Sequence, residues 1–228
     1  MASLSLFNKL ARVPKAWTNG KGRGIIIPMR IGIDIDNTIT NTRETILAFL
    51  ERYALARSLP YSFDPSKYTL EEALSWEPRD LDGFIEQHLT DVYREVAPKS
   101  HAVEVIRDLH SNDYIALITS RNRRNGNIHA ITLEWLARNQ VQYDLLIMNE
   151  TENMHHFSKL AACRENSIQV MIEDHDGLAL ELSHFIPVVL FDYPYNTNIR
   201  GDNIIRVQDW LQVPTALVEL AARPMQRS

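Results

Sequence analysis

Two carboxylates stand two residues apart in Asp34-Ile35-Asp36, at the end of the apolar run Arg30–Ile35. On an extended chain alternate side chains share a face, so Asp34 and Asp36 are expected to point the same way while Ile35 enters the core. Like charges this close raise the proton affinity of one member, so one acid can be ionised while its neighbour carries a proton. That division suits an attacking carboxylate beside a group that moves protons. Acids after a strand also simply cap the following turn, and this pair alone leaves both readings open. A second pair, Glu173-Asp174, ends the run Ile168–Ile172. In a parallel sheet it can lie beside the first, which would gather up to four carboxylates in one pocket. Such a cluster is strongly destabilising unless cations compensate it. An all-oxygen donor set with room for water and phosphate suits Mg²⁺, and Lys159 could supply a further positive charge.

Hydroxyls follow another run. Thr119 and Ser120 close Ile115–Ile118, where they could donate to a phosphoryl oxygen without adding charge or could cap a turn. Arg121, Arg123 and Arg124 come next, a basic group that could attract an anionic substrate or form a solvated loop. His155-His156 and His175 offer little for a transition metal, because adjacent histidines rarely share one ion and His175 lies within the acidic Glu173–Asp176 stretch. Asn196 could line the pocket or only make a turn after Pro194.

Placing these groups together requires strands that end at one edge. Arg30–Ile35, Tyr114–Thr119, Tyr143–Met148, Ile168–Glu173 and Pro187–Phe191 read as short buried strands. Helical stretches at Ala102–Leu109, Ile128–Leu136, Phe157–Cys163 and Leu178–Leu182 separate the later ones. The alternation predicts an α/β fold, a parallel Rossmann-like sheet covered on both sides in three layers. Sites in such sheets lie beyond the carboxyl ends of the strands, where the acids and hydroxyls fall. One segment breaks the alternation. Residues 41–97 contain no strand candidate but two amphipathic helices, one carrying Ile46, Phe49, Leu50, Tyr53 and Ala54, the other Leu81, Phe84, Ile85, Leu89 and Val92. This reads as a helical cap inserted after the first strand, with the core in residues 29–40 and 98–228. A lid there could close over a substrate.

Composition limits the function classes. The 228 residues, 45% of them hydrophobic, suffice for one globular domain with a core of its own. One cysteine, Cys163, makes no internal disulfide and no Cys-based zinc site. No apolar run approaches the roughly 18 residues of a membrane span. The net charge of -5 conceals an asymmetry, because residues 1–28 hold Lys9, Arg12, Lys15, Lys21 and Arg23 and no acid, leaving -10 on the rest. An acidic body without a long basic stripe argues against nucleic acid as substrate. The basic first 28 residues read as a mobile or spurious extension, with a docked tail and then an organelle transit peptide as the alternatives. Cytoplasm is the expected location, with import through that segment as the other reading.

The ordered set Asp34-x-Asp36-x-Thr38, Thr119, Lys159 and Glu173-Asp174 resembles the four motifs of the haloacid dehalogenase-like phosphohydrolases, over residues 30 to about 195. The stretches ITSR at 118–121, EDHDG at 173–177 and LFDYPYN at 190–196 are similar to those of the cytosolic 5′(3′)-deoxyribonucleotidases and related bacterial nucleotidases. Two departures stand out: Glu173 where many members have Asp, and Asn37 where Gly is frequent. The resemblance implies a Mg²⁺-dependent phosphomonoesterase acting on a small phosphorylated metabolite, first a nucleoside or deoxynucleoside monophosphate, through an aspartyl-phosphate. It makes Asp34 the nucleophile and Asp36 the acid and base. It has Mg²⁺ held by the Asp34 carboxylate, the Asp36 carbonyl and Asp174, with Glu173 orienting water or ligand. Thr119, Ser120 and Lys159 would bind phosphoryl oxygens. Trp76, in a loop of the cap, and Arg121 are candidate substrate contacts, whereas Phe49 and Tyr53 fall on an apolar helix face and read as core. A sugar phosphate or other non-nucleotide ester is the alternative substrate, and a binding module without turnover the third reading. The expected partners are that substrate and, as an alternative to a monomer, a second copy of the chain.

Overall fold

Short runs of aliphatic residues pair side by side at the centre of the structure, a computed structural model in which residues 28–151 and 157–223 are described. The strands are β1 (Arg30–Ile33), β2 (Tyr114–Asn122), β3 (Leu145–Asn149), β4 (Val170–Glu173), β5 (Val188–Phe191) and β6 (Ile204–Val207). They form one parallel sheet in the order β3-β2-β1-β4-β5-β6. The chain order reverses between β1 and β4, which opens a crevice at their carboxyl ends. The helices are α1 (Thr42–Arg57), α2 (Leu70–Ala73), α3 (Pro78–Glu95), α4 (Ala102–His110), α5 (Gly126–Arg138), α6 (Lys159–Glu165), α7 (Asp176–Ser183) and α8 (Val213–Ala222).

The two-residue period of the strands divides the core. Ile31, Ile33, Ile115, Leu117, Val170, Ile172 and Val189 face one way, against Ile106 of α4, Trp135 of α5 and Leu217 of α8. Ala116, Ile118, Met171, Val188 and Leu190 face the other way, against Cys163 of α6 and Leu182 of α7. Each fully buried aliphatic side chain contributes about 1.5–3 kcal/mol of hydrophobic stabilisation. Both faces are therefore covered, as the three-layer expectation requires. Among the described residues no helix is long and apolar enough to cross a membrane.

Residues 41–97 gather round a third apolar cluster of Phe49, Leu50, Tyr53, Leu74, Leu81, Phe84 and Val92. The chain enters and leaves this insertion through a narrow neck. Thr40 and Pro98 form an antiparallel bridge, Asn41 N–H donates to Ala97 O at 3.0 Å, and Lys99 N–H donates to Ile39 O at 2.7 Å.

The structure differs from the sequence reading at several ends. β1 stops at Ile33, two residues early, because the chain turns: Ile39 and Thr40 both donate to Ile35 O, and Asn37 is left-handed at φ 58°. The strand alternation expected to align Asp34 with Asp36 therefore does not extend to Asp36. β2 runs on to Asn122, with a register irregularity after Thr119. β6 and α8 were not foreseen. β6 is a four-residue run containing Arg206, buried only at its two ends, and its alternation is too short to register. α8 buries Val213, Ala216, Leu217 and Leu220, a helical spacing present in the sequence but not assigned. The basic extension lies outside the described residues, apart from Pro28, and so do His155 and His156.

Gly32 lies where β1 is most crowded, and an added Cβ would sit 2.7 Å from Met171 Sδ and 3.0 Å from Ile168 Cγ2. Gly32→Ala is expected to cost about 1–3 kcal/mol through overpacking. A lower urea midpoint at unchanged slope checks this, and an unchanged midpoint would mean that Met171 swings aside freely.

Candidate active site

Sheet register assembles the acids. Ile33 pairs with Ile172, and Asp34 N–H donates to Ile172 O at 3.0 Å, so Asp34 comes to lie beside Glu173-Asp174. Carboxylate oxygens of Asp34, Glu173 and Asp174 lie within 4.8 Å of one another, and all three residues are buried. Lys159 Nζ enters this cluster from the first turn of α6, which Ser158 caps by accepting from Ala161 N–H. The ammonium donates to Asp34 Oδ1 at 2.5 Å and to Glu173 Oε2 at 2.9 Å.

One lysine does not balance three buried carboxylates. Burial pushes Asp34 well above the usual carboxylate range; Lys159 opposes this, and Glu173 and Asp174 add to it. Asp174 is pushed up to about 7 by burial and by Glu173, against the hydrogen bond it accepts from Tyr195. Burial works against the charge on Lys159, but Asp34 and Glu173 outweigh it and raise the ammonium above its ordinary range. The donor set is all oxygen, buried, closely spaced and short of positive charge, which fits a hard divalent cation.

Asp36 lines the same cavity but stands outside the tight cluster, which holds three carboxylates where four were expected. Its carboxylate is held in the fork of Arg121, Nε to Oδ2 at 2.9 Å and an η nitrogen to Oδ1 at 2.7 Å, and also accepts from Thr42 Oγ1 at 2.7 Å. Burial would raise Asp36, but the Arg121 charge and hydrogen bonds prevail and hold it below its ordinary value. Arg121 is buried beneath the ring of Tyr93 from α3, 4.0 Å from guanidinium carbon to ring centroid. Its guanidinium is thus occupied by Asp36, and by Thr132 Oγ1 at 3.3 Å.

A cavity of about 820 Å³ opens above Asp34 and Lys159, between the strand ends and the insertion. Asp36, Ser120 and Arg121 line it from the core side; Ile46, Leu47, Phe63, Tyr68, Leu70 and Ile85 line it from the insertion. Thr119 is fully buried behind this wall, where its Oγ1 accepts from Arg121 N–H at 3.2 Å. Trp76 is not brought to the cavity. Its indole N–H donates to Pro60 O at 2.7 Å and its ring packs 5.8 Å from Tyr53, inside the insertion. Phe49 and Tyr53 are buried in that same cluster, as their helical spacing predicts.

Tyr195 and Tyr68 beside Asp174 escaped the sequence reading, and Asn196, read as a pocket or turn residue, is buried against the Asp174 backbone. Tyr195 OH donates to Asp174 Oδ2 at 2.5 Å, and Asn196 Nδ2 donates to Asp174 O at 2.7 Å and Phe191 O at 2.8 Å. Tyr68, on the loop before α2, packs 4.0 Å from the His175 ring and 5.2 Å from Tyr195, which joins the insertion to the acidic edge. His175 caps α7, its Nδ1 accepting from Leu178 N–H, and no histidine belongs to the acidic cluster among the described residues. The signal for Tyr195 and Asn196 lay in the LFDYPYN stretch, but nothing in its spacing shows that the turn folds back onto Asp174.

No family model matches the chain. Over 187 residues it is 33% identical to YqfW of Bacillus subtilis (strain 168), a protein provisionally named a nucleotidase, covering 81% of this chain and 91% of that one. A Clostridium acetobutylicum protein named a nucleotidase is 28% identical over 186 residues, again 81% of this chain and 91% of the relative. Among solved structures, a haloacid dehalogenase-like family hydrolase of Streptococcus pneumoniae superposes with a TM-score of 0.63 at 12% identity, over 83% of this chain and 98% of its own. That last likeness concerns the fold.

Removing Arg121 would strand the Asp36 carboxylate, whose side chain is 26% exposed. Arg121→Met is expected to destabilise at the lower end of the about 3–5 kcal/mol that breaking a buried pair costs, since cavity water reaches Asp36. Adding Asp36→Asn should recover most of the loss in denaturant unfolding. No recovery would show that the cost arises from packing against Tyr93.

Proposed function

We propose that this chain, which belongs to the haloacid dehalogenase-like hydrolases and is a phosphoric monoester hydrolase, uses Mg²⁺ and an aspartyl-phosphate intermediate to dephosphorylate a nucleoside or deoxynucleoside monophosphate. The observation that carries the reading is the buried set of Asp34, Glu173 and Asp174 with Lys159 among them, of which Asp34 and Lys159 face the cavity. Asp34 and Asp174, with the Asp36 carbonyl implied by the motif resemblance, would hold Mg²⁺, and Glu173 would orient water or ligand. The cation supplies Lewis-acid neutralisation of phosphoryl oxygens, without which an anionic carboxylate and an anionic ester repel each other.

The chain's own residues perform the remaining work. Lys159 has three N–H donors, two of them directed at Asp34 and Glu173, so the third is available to a phosphoryl oxygen. Ser120 adds an uncharged hydroxyl donor at the cavity wall. Asp34 attacks phosphorus through the oxygen that Lys159 does not hold; the Asp34 O–P bond forms as the ester O–P bond breaks. Asp36, freed from the Arg121 fork and protonated from water in the cavity, gives that proton to the leaving alkoxide. Water then attacks the aspartyl-phosphate, Asp36 takes a proton back, and phosphate leaves with Asp34 regenerated. A carboxylate in a guanidinium fork stays ionised, so Asp36 can act only when its pair with Arg121 loosens.

Residues 41–97 act in this proposal as a cap that excludes water over the site. Ile46, Leu47, Phe63 and Ile85 offer a base an apolar surface on the insertion side of the cavity, beside polar lining from Thr42, Arg43, Glu71 and Glu72. That apolar surface supports the nucleotide reading, and it replaces Trp76 as the base contact. Phosphate release from nucleoside and deoxynucleoside monophosphates is expected to exceed release from sugar phosphates, and to stop with chelator and return with Mg²⁺. A preference for sugar phosphates would reverse the substrate assignment, and full activity in chelator would remove the cation's role. Asp34→Asn should bring turnover to background in a folded protein. Wild-type rates in that variant would move the nucleophile elsewhere.

A further inference from the structure

Asn37 stands where glycine is frequent in the resembling superfamily, and the proposed reaction gives it no task. Its φ of 58° lies in the left-handed region, which is costly for residues other than glycine and least so for Asn and Asp. A glycine would satisfy the turn. The amide side chain does something glycine cannot, since it reaches in two directions. Nδ2 donates to Asp174 Oδ2 at 3.2 Å, and Oδ1 accepts from Arg43 N–H at 2.8 Å. Arg43 N–H is one of the first-turn amides of α1, which have no partner within the helix. Asn41, at the N-cap position, makes no side-chain capping bond. Asn37 therefore caps the first helix of the insertion from the core side while holding an acid of the buried cluster. Its backbone is fixed as well, because Asn37 O accepts from Tyr193 OH at 3.1 Å, and that hydroxyl accepts from Lys99 Nζ at 2.6 Å at the neck.

We infer that Asn37 is a positioning residue that ties the Asp174 carboxylate to the first turn of α1, so that cation binding at Asp174 and seating of the insertion are coupled. This rests on the reading of Asp174 as a cation ligand. Outer partners of metal ligands fix ligand orientation, and their loss typically lowers metal affinity about 10–100-fold. Tyr195 provides a built-in comparison. It donates to the same Asp174 oxygen, but among the described residues it meets α1 only through its ring, 4.7 Å from the Arg43 guanidinium carbon, a contact that a phenylalanine keeps. Losing the Tyr195 hydroxyl should weaken the cation site and leave the link to the insertion in place.

The test uses the full chain, titrated with Mg²⁺ by calorimetry, together with amide hydrogen exchange over the start of α1. In the wild type, Mg²⁺ is expected to bind and to slow exchange at Arg43 and its neighbours. Asn37→Gly, which suits the left-handed turn and so keeps the fold, should bind Mg²⁺ about 10–100-fold more weakly. At saturating Mg²⁺ it should show no added protection of α1. Tyr195→Phe should bind more weakly yet retain that protection at saturation. Wild-type affinity in Asn37→Gly, protection that persists in it, or protection lost in Tyr195→Phe would each overturn the coupling. If the wild type itself takes up no Mg²⁺, the cation reading of the site falls and this inference with it; binding by the wild type with an unaffected Asn37→Gly defeats the coupling alone.

Discussion

The Lys159 ammonium between Asp34 and Glu173 is the interaction on which the rest of the site depends. Three carboxylates within 4.8 Å of one another, removed from water, repel strongly. Hydrophobic burial of the sheet ends and charge on the acids pull in opposite directions, and a single lysine offsets only part of the conflict. What remains is a shortage of positive charge of the kind that a hard divalent cation meets. The core helices serve this arrangement directly, because Ser158 caps α6 one residue before Lys159 and so fixes where the ammonium enters.

A second buried pair lies next to the first and behaves differently. Asp36 and Arg121 compensate each other inside a bidentate fork, and the face of Tyr93 covers the guanidinium. Tyr93 belongs to α3, so the acid assigned to proton transfer is packed, through Arg121, against the insertion. Thr42 Oγ1 reaches Asp36 from the first residue of α1, and Asn37 reaches the Arg43 amide next to it. Tyr68 completes the set by lying against His175 and Tyr195. The insertion thus touches the acidic edge through several kinds of contact, not through an apolar seam alone, and a shift of the insertion would be felt at both Asp36 and Asp174.

Local pattern and tertiary placement contributed unequally. The five strands from Arg30 to Phe191, the helices between them and the two long helices of the insertion follow from periodicity, because burial repeats every two residues in a strand and at helical spacing in a helix. Their edges moved by one to three residues where turns and the β2 irregularity intervened. β6 escaped because four residues with Arg206 among them make too short a pattern, whereas α8 carries a helical spacing of Val213, Ala216, Leu217 and Leu220 that is legible in the sequence. Asp34, Lys159, Glu173 and Asp174 were legible as an ordered set, since each follows a strand or opens a helix.

The sequence by itself determined the parallel α/β sheet and the acidic edge at the carboxyl ends of its strands. Those properties come from residue type and period, which are local. Only the tertiary structure decided which charges meet: that Asp36 leaves the cluster for Arg121, that Trp76 turns into the insertion, and that Tyr195 and Asn37 converge on Asp174. Such pairings join residues far apart in the chain through turns whose side chains carry no periodic signal, and a carboxylate in sequence looks the same whether a lysine, an arginine or a metal ion will face it.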